Sequence, residues 1–193
     1  KGTSAAGCFD IKQVVVTAAP APTVVITNPA AVCAPNTVDL TAAAVTAGSD
    51  AGLTYTYWTD AAATVPYATP TAATAGTYYI KGTTAGGCAT IQPVVVTANP
   101  LPTPVVTGPS PVCVSVAGNT STYTTTNVAG HTYNWVVTGG TIVSGQGTNS
   151  ITVSWTTAGA GTVAVTETIT ASGCSAANTL NVTVTPKPVT SAI

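Results

Sequence analysis

The residues able to do chemistry in this chain are few and far apart. Five cysteines stand at positions 8, 33, 88, 113 and 174, with a single histidine, His131, and five acids, Asp10, Asp39, Asp50, Asp60 and Glu167. No two cysteines form a C-x-x-C pair, so a zinc site lacks both the spacing and the ligands. Catalysis requires ionisable groups that converge. Here the acids are scattered over loop and outward strand positions, with no G-x-S-x-G elbow, no metalloprotease motif and no carboxylate run of the calcium-binding type. The chain reads as a protein that is not an enzyme and that carries no metal or cofactor.

Three kinds of side chain invite a closer reading. His131 follows Gly130 at the opening of a strand and reads as a solvated turn residue rather than a base or ligand. Glu167 shares the inward parity of Val163, Val165 and Ile169. A buried, unpaired carboxylate is costly, so the strand is expected to bulge or leave the core there, a buried functional group being the alternative. Trp135 and Trp155 fall at core parity, which leaves Trp58, with Tyr67 and Tyr79, as the candidate exposed aromatic contact. Asn119 and Asn181 stand in the triplets NTS and NVT, glycosylation sequons that arise readily by chance in a Thr-rich chain.

Composition narrows the class. Charged residues are 5% of 193, hydrophobic residues 45%, and Thr, Ala and Val alone supply about half the chain. Four basic residues and a net charge of -1 cannot neutralise a phosphate backbone, which excludes nucleic acid as a partner. Charge-driven disorder needs the opposite composition. No apolar run approaches the roughly 18 residues of a membrane span, so no membrane insertion is expected. Lys1 opens no signal-peptide pattern, and the chain is expected to be processed or cut from something longer.

An internal repeat sets the organisation. Residues 1–33, KGTSAAGCFDIKQVVVTAAPAPTVVITNPAAVC, lie without a gap over 81–113, KGTTAGGCATIQPVVVTANPLPTPVVTGPSPVC, at an offset of 80. A weaker third copy of the ending runs from Gly173 and Cys174 to VTVTPKP at 182–188. Such a period suits tandem domains rather than a solenoid. Alternating prolines at 20 and 22, at 100, 102 and 104, and at 186 and 188 mark stiff connectors. The expected parts are 1–18, the last strand region of a preceding repeat; 21–100 and 101–187, two complete repeats; and 188–193, the start of a further linker. An isolated strand or hairpin is not stable in water, so residues 1–18 should complete a sandwich formed with upstream sequence or an adjoining copy.

Within the repeats strand signals dominate, because apolar residues alternate and turn residues interrupt every 8 to 12 positions. Tyr133, Trp135 and Val137 share one face, as do Ile151, Val153 and Trp155, then Val163 and Val165, then Leu180, Val182 and Val184. The first repeat offers Val38, Leu40 and Ala42, then Tyr55 and Tyr57, Tyr78 and Ile80, and Val94 and Val96. About seven short strands per repeat, with Thr outward and Val or aromatic inward, describe a β-sandwich. Widely spaced cysteines then read as structural disulfides of an oxidising compartment. Repeat position pairs Cys33 with Cys88 and Cys113 with Cys174, each closure contributing about 4 kcal/mol on the chain-entropy model. Cys8, equivalent to Cys88, is left to pair upstream or stay free within the chain.

These residues resemble known families. The first repeat, with VC before its second strand, YTYWTDAAAT, GTYYIKGTTAGGC and a closing VVVT, is similar to the Ig-like domains repeated in very large surface proteins of Bacteroidota. The second, with GPSPVC, YNWVVTGGTIVSGQGTNSITVSW and GCSAANTLNVTV, resembles the PKD-like repeats of the same proteins. The resemblance covers nearly all of 21–187. It implies tandem Ig-like and PKD-like β-sandwiches and an extracellular or cell-surface place in an adhesin-type or fibre-forming protein. It brings no catalytic residue. The expected role is structural, a stalk or fibre segment, the alternative being a module that binds polysaccharide or protein through its loops. Expected partners are other copies of the chain or adjoining repeats, with glycans as a further class. Edge strands this poor in Lys are open to lateral or end-to-end association.

Overall fold

The computed structural model describes residues 2–115 and 119–187. The linker expected at 188–193 lies outside the described residues. The chain divides into two compact units, one made of residues 1–30 and 37–97, the other of 31–36 and 98–193. Among the described residues the regular structure is β-strand, with two short 3-10 turns at Ala43–Val45 and Pro70–Ala72.

Before residue 54 strand pairing is sparse. Strands β1 (Gly2–Thr3) and β2 (Phe9–Asp10) form a small hairpin, and β3 (Val32–Cys33) follows. Then come β4 (Thr54–Trp58), β5 (Gly76–Thr83) and β6 (Ala89–Val96), an antiparallel sheet in that order, and the short β7 (Ala98–Asn99). Alternation decides which side faces the core of the first unit. Tyr78 and Ile80 are buried while Tyr79 between them is half-buried, and Val94 and Val96 are buried while Val95 is exposed. Leu40, Val45 and Ala73 close this core from the other side, with Val38 and Ala73 exchanging two backbone hydrogen bonds.

The first unit has fewer strands than the seven expected, and its hydrogen bonds show why. Between residues 23 and 28 side chains replace a strand partner: Thr23 N–H donates to the Asp50 carboxylate, Val25 N–H donates to Ser49 Oγ, and Asn28 Oδ1 accepts from Val95 N–H. Proline at 20, 22, 29 and 35 removes further ladder donors. Ala42, expected in the core, is exposed beside the first 3-10 turn.

The second unit is a two-layer sandwich. Besides the β3–β7 pair its strands are β8 (Val112–Cys113), β9 (Ser121–Thr124), β10 (His131–Thr138), β11 (Gly140–Ser144), β12 (Ser150–Trp155), β13 (Gly159–Ile169) and β14 (Ser175–Thr185). One sheet has the order β10-β13-β14-β8, the other β11-β12-β9. Tyr123, Trp135, Ile151, Val153, Trp155, Val163, Val165, Val182 and Val184 fill the space between them. Tyr123 and Trp155 meet edge to face with ring centroids 5.9 Å apart. Polar tips reach backbone at the rim: Tyr123 Oη donates to the Pro109 carbonyl and Trp135 Nε1 to the Thr148 carbonyl. Gly161 lets the large indole fit, because a Cβ there would lie 2.6 Å from Trp155 Cζ3 and 2.9 Å from the Thr138 carbonyl oxygen.

The disulfide pairing differs from the one expected. Cys33 is bonded to Cys174, while Cys8, Cys88 and Cys113 are free thiols. Strand geometry explains the difference. β8 lies parallel to the end of β14, with Cys113 opposite Thr185, whereas Cys174 immediately precedes the start of β14. Eleven residues of strand at about 3.4 Å each separate the two by about 35 Å, and a disulfide needs Cα atoms within about 7 Å. The same holds in the first repeat, where Cys33 lies opposite Asn99 and Cys88 precedes β6. Pairing with β7, beyond the last core strand, carries residues 31–36 out of the first unit and into the second, where Cys174 lies.

Two outcomes follow for stability. Gly161→Ala should lower the stability of the second unit by about 1–3 kcal/mol through overpacking against Trp155, read as a lower urea midpoint at unchanged m-value. Reduction with dithiothreitol should remove up to about 5 kcal/mol on the chain-entropy model, because the bond closes a sequence separation of 141 residues. The same urea titration with and without reductant measures it.

Candidate functional site

The structure brings together two titratable residues that the sequence reading kept apart. His131 opens β10 and Glu167 lies near the end of β13, where His131 is opposite Ile169 and Tyr133 is opposite Glu167. In antiparallel strands residues diagonal by two share a face. The His131 Nδ1 and Glu167 Oε1 atoms are accordingly 2.6 Å apart. The imidazole is 15% exposed and the carboxylate side chain 5%. Both expectations are corrected: His131 is not a solvated turn residue, and β13 neither bulges nor leaves the core at Glu167, its pairing with β10 and β14 running unbroken through that position. The carboxylate can stay buried because the imidazole partners it, and the pair is ionic when the ring is protonated.

Leu101, Pro102, Thr103, Thr126, Val128 and Ile169 surround this pair in an open cleft of about 270 Å³. A carboxylate that orients an imidazole is part of the geometry of nucleophilic catalysis, whose remaining part is a hydroxyl or thiol on the other ring nitrogen. Among the described residues none bonds to Nε2 of His131, and no group of three or more His, Cys, Asp or Glu is placed to hold a metal. The pair fastens the end of a strand pair. No sequence motif announced it; the signal was the inward parity of Glu167, which required a partner that only the cross-strand register could name.

Three other acids have structural occupations. Asp39 accepts from the Thr41 amide and hydroxyl, and Asp50 from the Thr23 amide. Asp60 accepts from the Thr64 hydroxyl and from the amides of Thr64 and Val65, bonds that hold its carboxyl below the usual carboxylate range. Asp39 and Asp60 tie turns, and Asp50 stands in for a strand partner of Thr23. The candidate aromatic trio is split. Trp58 and Tyr79 are directly opposed in the β4–β5 register, both half-buried, and the Trp58 indole donates to Thr56 Oγ1. Tyr67 turns to the other side, its ring centroid 4.4 Å from that of buried Tyr78 and packed on the first unit's core.

A substitution separates the structural role of the pair from its charge. His131→Ala leaves Glu167 buried without its partner and should destabilise the second unit by about 3 kcal/mol, whereas Glu167→Gln, which retains hydrogen bonding and removes the charge, should cost less than half of that. Urea unfolding of the two variants in parallel checks the order.

Comparison with known proteins gives one family model, confined to the second unit, and solved structures that extend over both. No curated protein matches the chain. Among solved structures, the extracellular domain of protocadherin gamma-B4 is 14% identical over 89% of this chain and 33% of its own, with a TM-score of 0.37. The fibronectin(III)-like modules of Clostridium thermocellum CbhA are 15% identical over 68% of this chain and 77% of their own, with a TM-score of 0.32. Domains 1–6 of the surface layer protein SbsC are 19% identical over 70% of this chain and 20% of their own, with a TM-score of 0.31. The chain spans between about a third and two fifths of the protocadherin chains it matches. Residues 99–184 match the family model of the PKD-like domain, and the all-β fold of that segment is of the PKD-like kind.

Proposed function

We propose that the chain is a structural segment, a stalk or fibre portion built of tandem repeats, in a large extracellular adhesin-type protein of a bacterial surface. The observation that carries the reading is a contrast between equivalent residues. Val94 and Val96 are 0% and 3% exposed in the core of the first unit, while Val14 and Val16, their counterparts at the offset of 80, are 81% and 87% exposed. A segment with this apolar pattern suits a strand in a sandwich core, and the described residues hold no such core around it. Residues 1–18 therefore fit a chain in which one repeat adjoins the next.

Other features agree with life outside a cell. The PKD-like segment is a sandwich with one cysteine, Cys174, bonded to Cys33 earlier in the chain, a disulfide of the kind oxidising compartments favour. A Thr-rich surface with 5% charged residues gives a fold nearly indifferent to ionic strength. Trypsin-like proteases find four basic residues, one of them Lys187 before a proline. The ionisable groups that do meet, His131 and Glu167, hold a strand pair in place.

Recombinant chains of one, two and three concatenated copies, examined by electron microscopy, test the reading. The contour length should rise by a constant increment per copy; particles whose longest dimension does not grow with copy number would refute a spacer role.

A further inference from the structure

The five cysteines fall into two structural classes, and the one disulfide present joins a member of each. In the first class are Cys33 and Cys113, 80 residues apart. Each ends a two-residue strand lying parallel to the last residues of its own repeat: Cys33 opposite Asn99, Cys113 opposite Thr185. The residue that follows donates its N–H to the facing carbonyl at 2.9 Å in both cases, Ala34 to Asn99 and Val114 to Thr185. These cysteines mark the end at which the chain leaves a repeat.

The second class holds Cys8, Cys88 and Cys174, each directly after a glycine of positive φ, namely Gly7, Gly87 and Gly173. In all three turns the cysteine carbonyl accepts an N–H from the preceding arm of the hairpin, Ser4, Thr84 and Ile169 respectively, and the glycine N–H donates back to the carbonyl of that same residue. These turns mark the opposite end, where the chain enters. The Cys88 thiol is 3.8 Å from the carbonyl of Ala19, and Thr90 donates to the carbonyl of Pro22, both in the connector before the first repeat. In the second repeat Leu101, Pro102 and Thr103 of the equivalent connector line the same cleft as Ile169.

Strand length excludes a bond between the two classes inside one repeat, as Cys113 and Cys174 demonstrate. The bond that does form joins the exit cysteine of the first repeat to the entrance cysteine of the second. We infer that this is the general linkage: Cys113 is the exit half, and Cys88 and Cys8 are entrance halves, of disulfides that join this chain head to tail to a second copy of the same repeat. The partner's recognition feature is the glycine–cysteine turn at its entrance, and what receives it is the exposed Cys113 at the end of β8. Cys8 and Cys113 are exposed and Cys88 is half-buried. Each repeat end thus carries a thiol of the class its neighbour requires.

A small disulfide such as oxidised glutathione supplies the oxidant. The thiolate of Cys88 attacks it, forming a mixed disulfide and releasing one glutathione thiolate. The thiolate of Cys113 from another copy then displaces the second. Two protein thiols lose two electrons, the reagent gains them as two thiols, and the protons pass to the released thiolates through solvent.

The whole chain, mixed from nitrogen-14 and nitrogen-15 preparations and incubated with oxidised glutathione, provides the test. Non-reducing electrophoresis should show a ladder of multimers that collapses on reduction. Peptide mapping should find Cys113 linked to Cys88 or Cys8 across the isotope boundary, with Cys33–Cys174 intact. Cys113→Ser should abolish the ladder, its retained Cys33–Cys174 peptide proving the fold. A Cys113–Cys113 link, a Cys113–Cys88 link within one copy, a link between two entrance cysteines, or a Cys113 thiol still free after oxidation would overturn the assignment. The linkage rests on the internal repeat, so its loss would leave the copy-number dependence of contour length unaffected.

Discussion

The seating of a two-residue strand governs much of this molecule. Each repeat opens with a short apolar segment ending in cysteine, and that segment lies parallel to the far end of the repeat's closing strands. Parallel pairing places the opening cysteine where the chain departs, while the hairpin cysteine is held at the other end of a strand about 35 Å long. Each repeat is therefore closed by its sheets and core and not by a bond of its own. Its cysteines are left to fasten neighbouring repeats, and the Cys33–Cys174 bond is the instance seen in this chain.

A near absence of charge shapes the rest. With few ionic side chains to spend at the surface, the chain satisfies its irregular backbone through short polar groups. Asp50, Ser49 and Asn28 take the place of a strand partner for residues 23–28 and 95, and Asp39 and Asp60 tie turns. Such bonds contribute about 1 kcal/mol each, more where a carboxylate accepts. The buried carboxylate of Glu167 is the exception, and its tolerance depends on one diagonal contact with His131 at 2.6 Å. Remove the imidazole and the solvation that Glu167 gave up has no replacement.

Much of the fold was legible in the residues. Alternation placed Trp135, Ile151, Val153, Trp155, Val163, Val165, Val182 and Val184 in the second core and Leu40, Tyr78, Ile80, Val94 and Val96 in the first, because side chains on a strand alternate by geometry whatever the strand pairs with. The strands of the first unit were overcounted, since extended segments whose amides bond to side chains have the same composition as strands in a ladder. Parity also singled out Glu167 as anomalous without naming its partner.

Local pattern by itself determined the all-β class and the inward faces, which are properties of a residue and its near neighbours in the chain, and the period of 80 came from the self-similarity of the sequence. Tertiary structure decided which distant residues meet: His131 with Glu167 across two strands, Tyr67 with Tyr78 in place of a shared surface with Trp58 and Tyr79, and Cys33 with Cys174 in place of Cys88. Repeat position assigns a cysteine to its repeat. Only the direction and length of the strand it sits on determine which end of that repeat it reaches, and a disulfide forms only between cysteines whose Cα atoms come within about 7 Å.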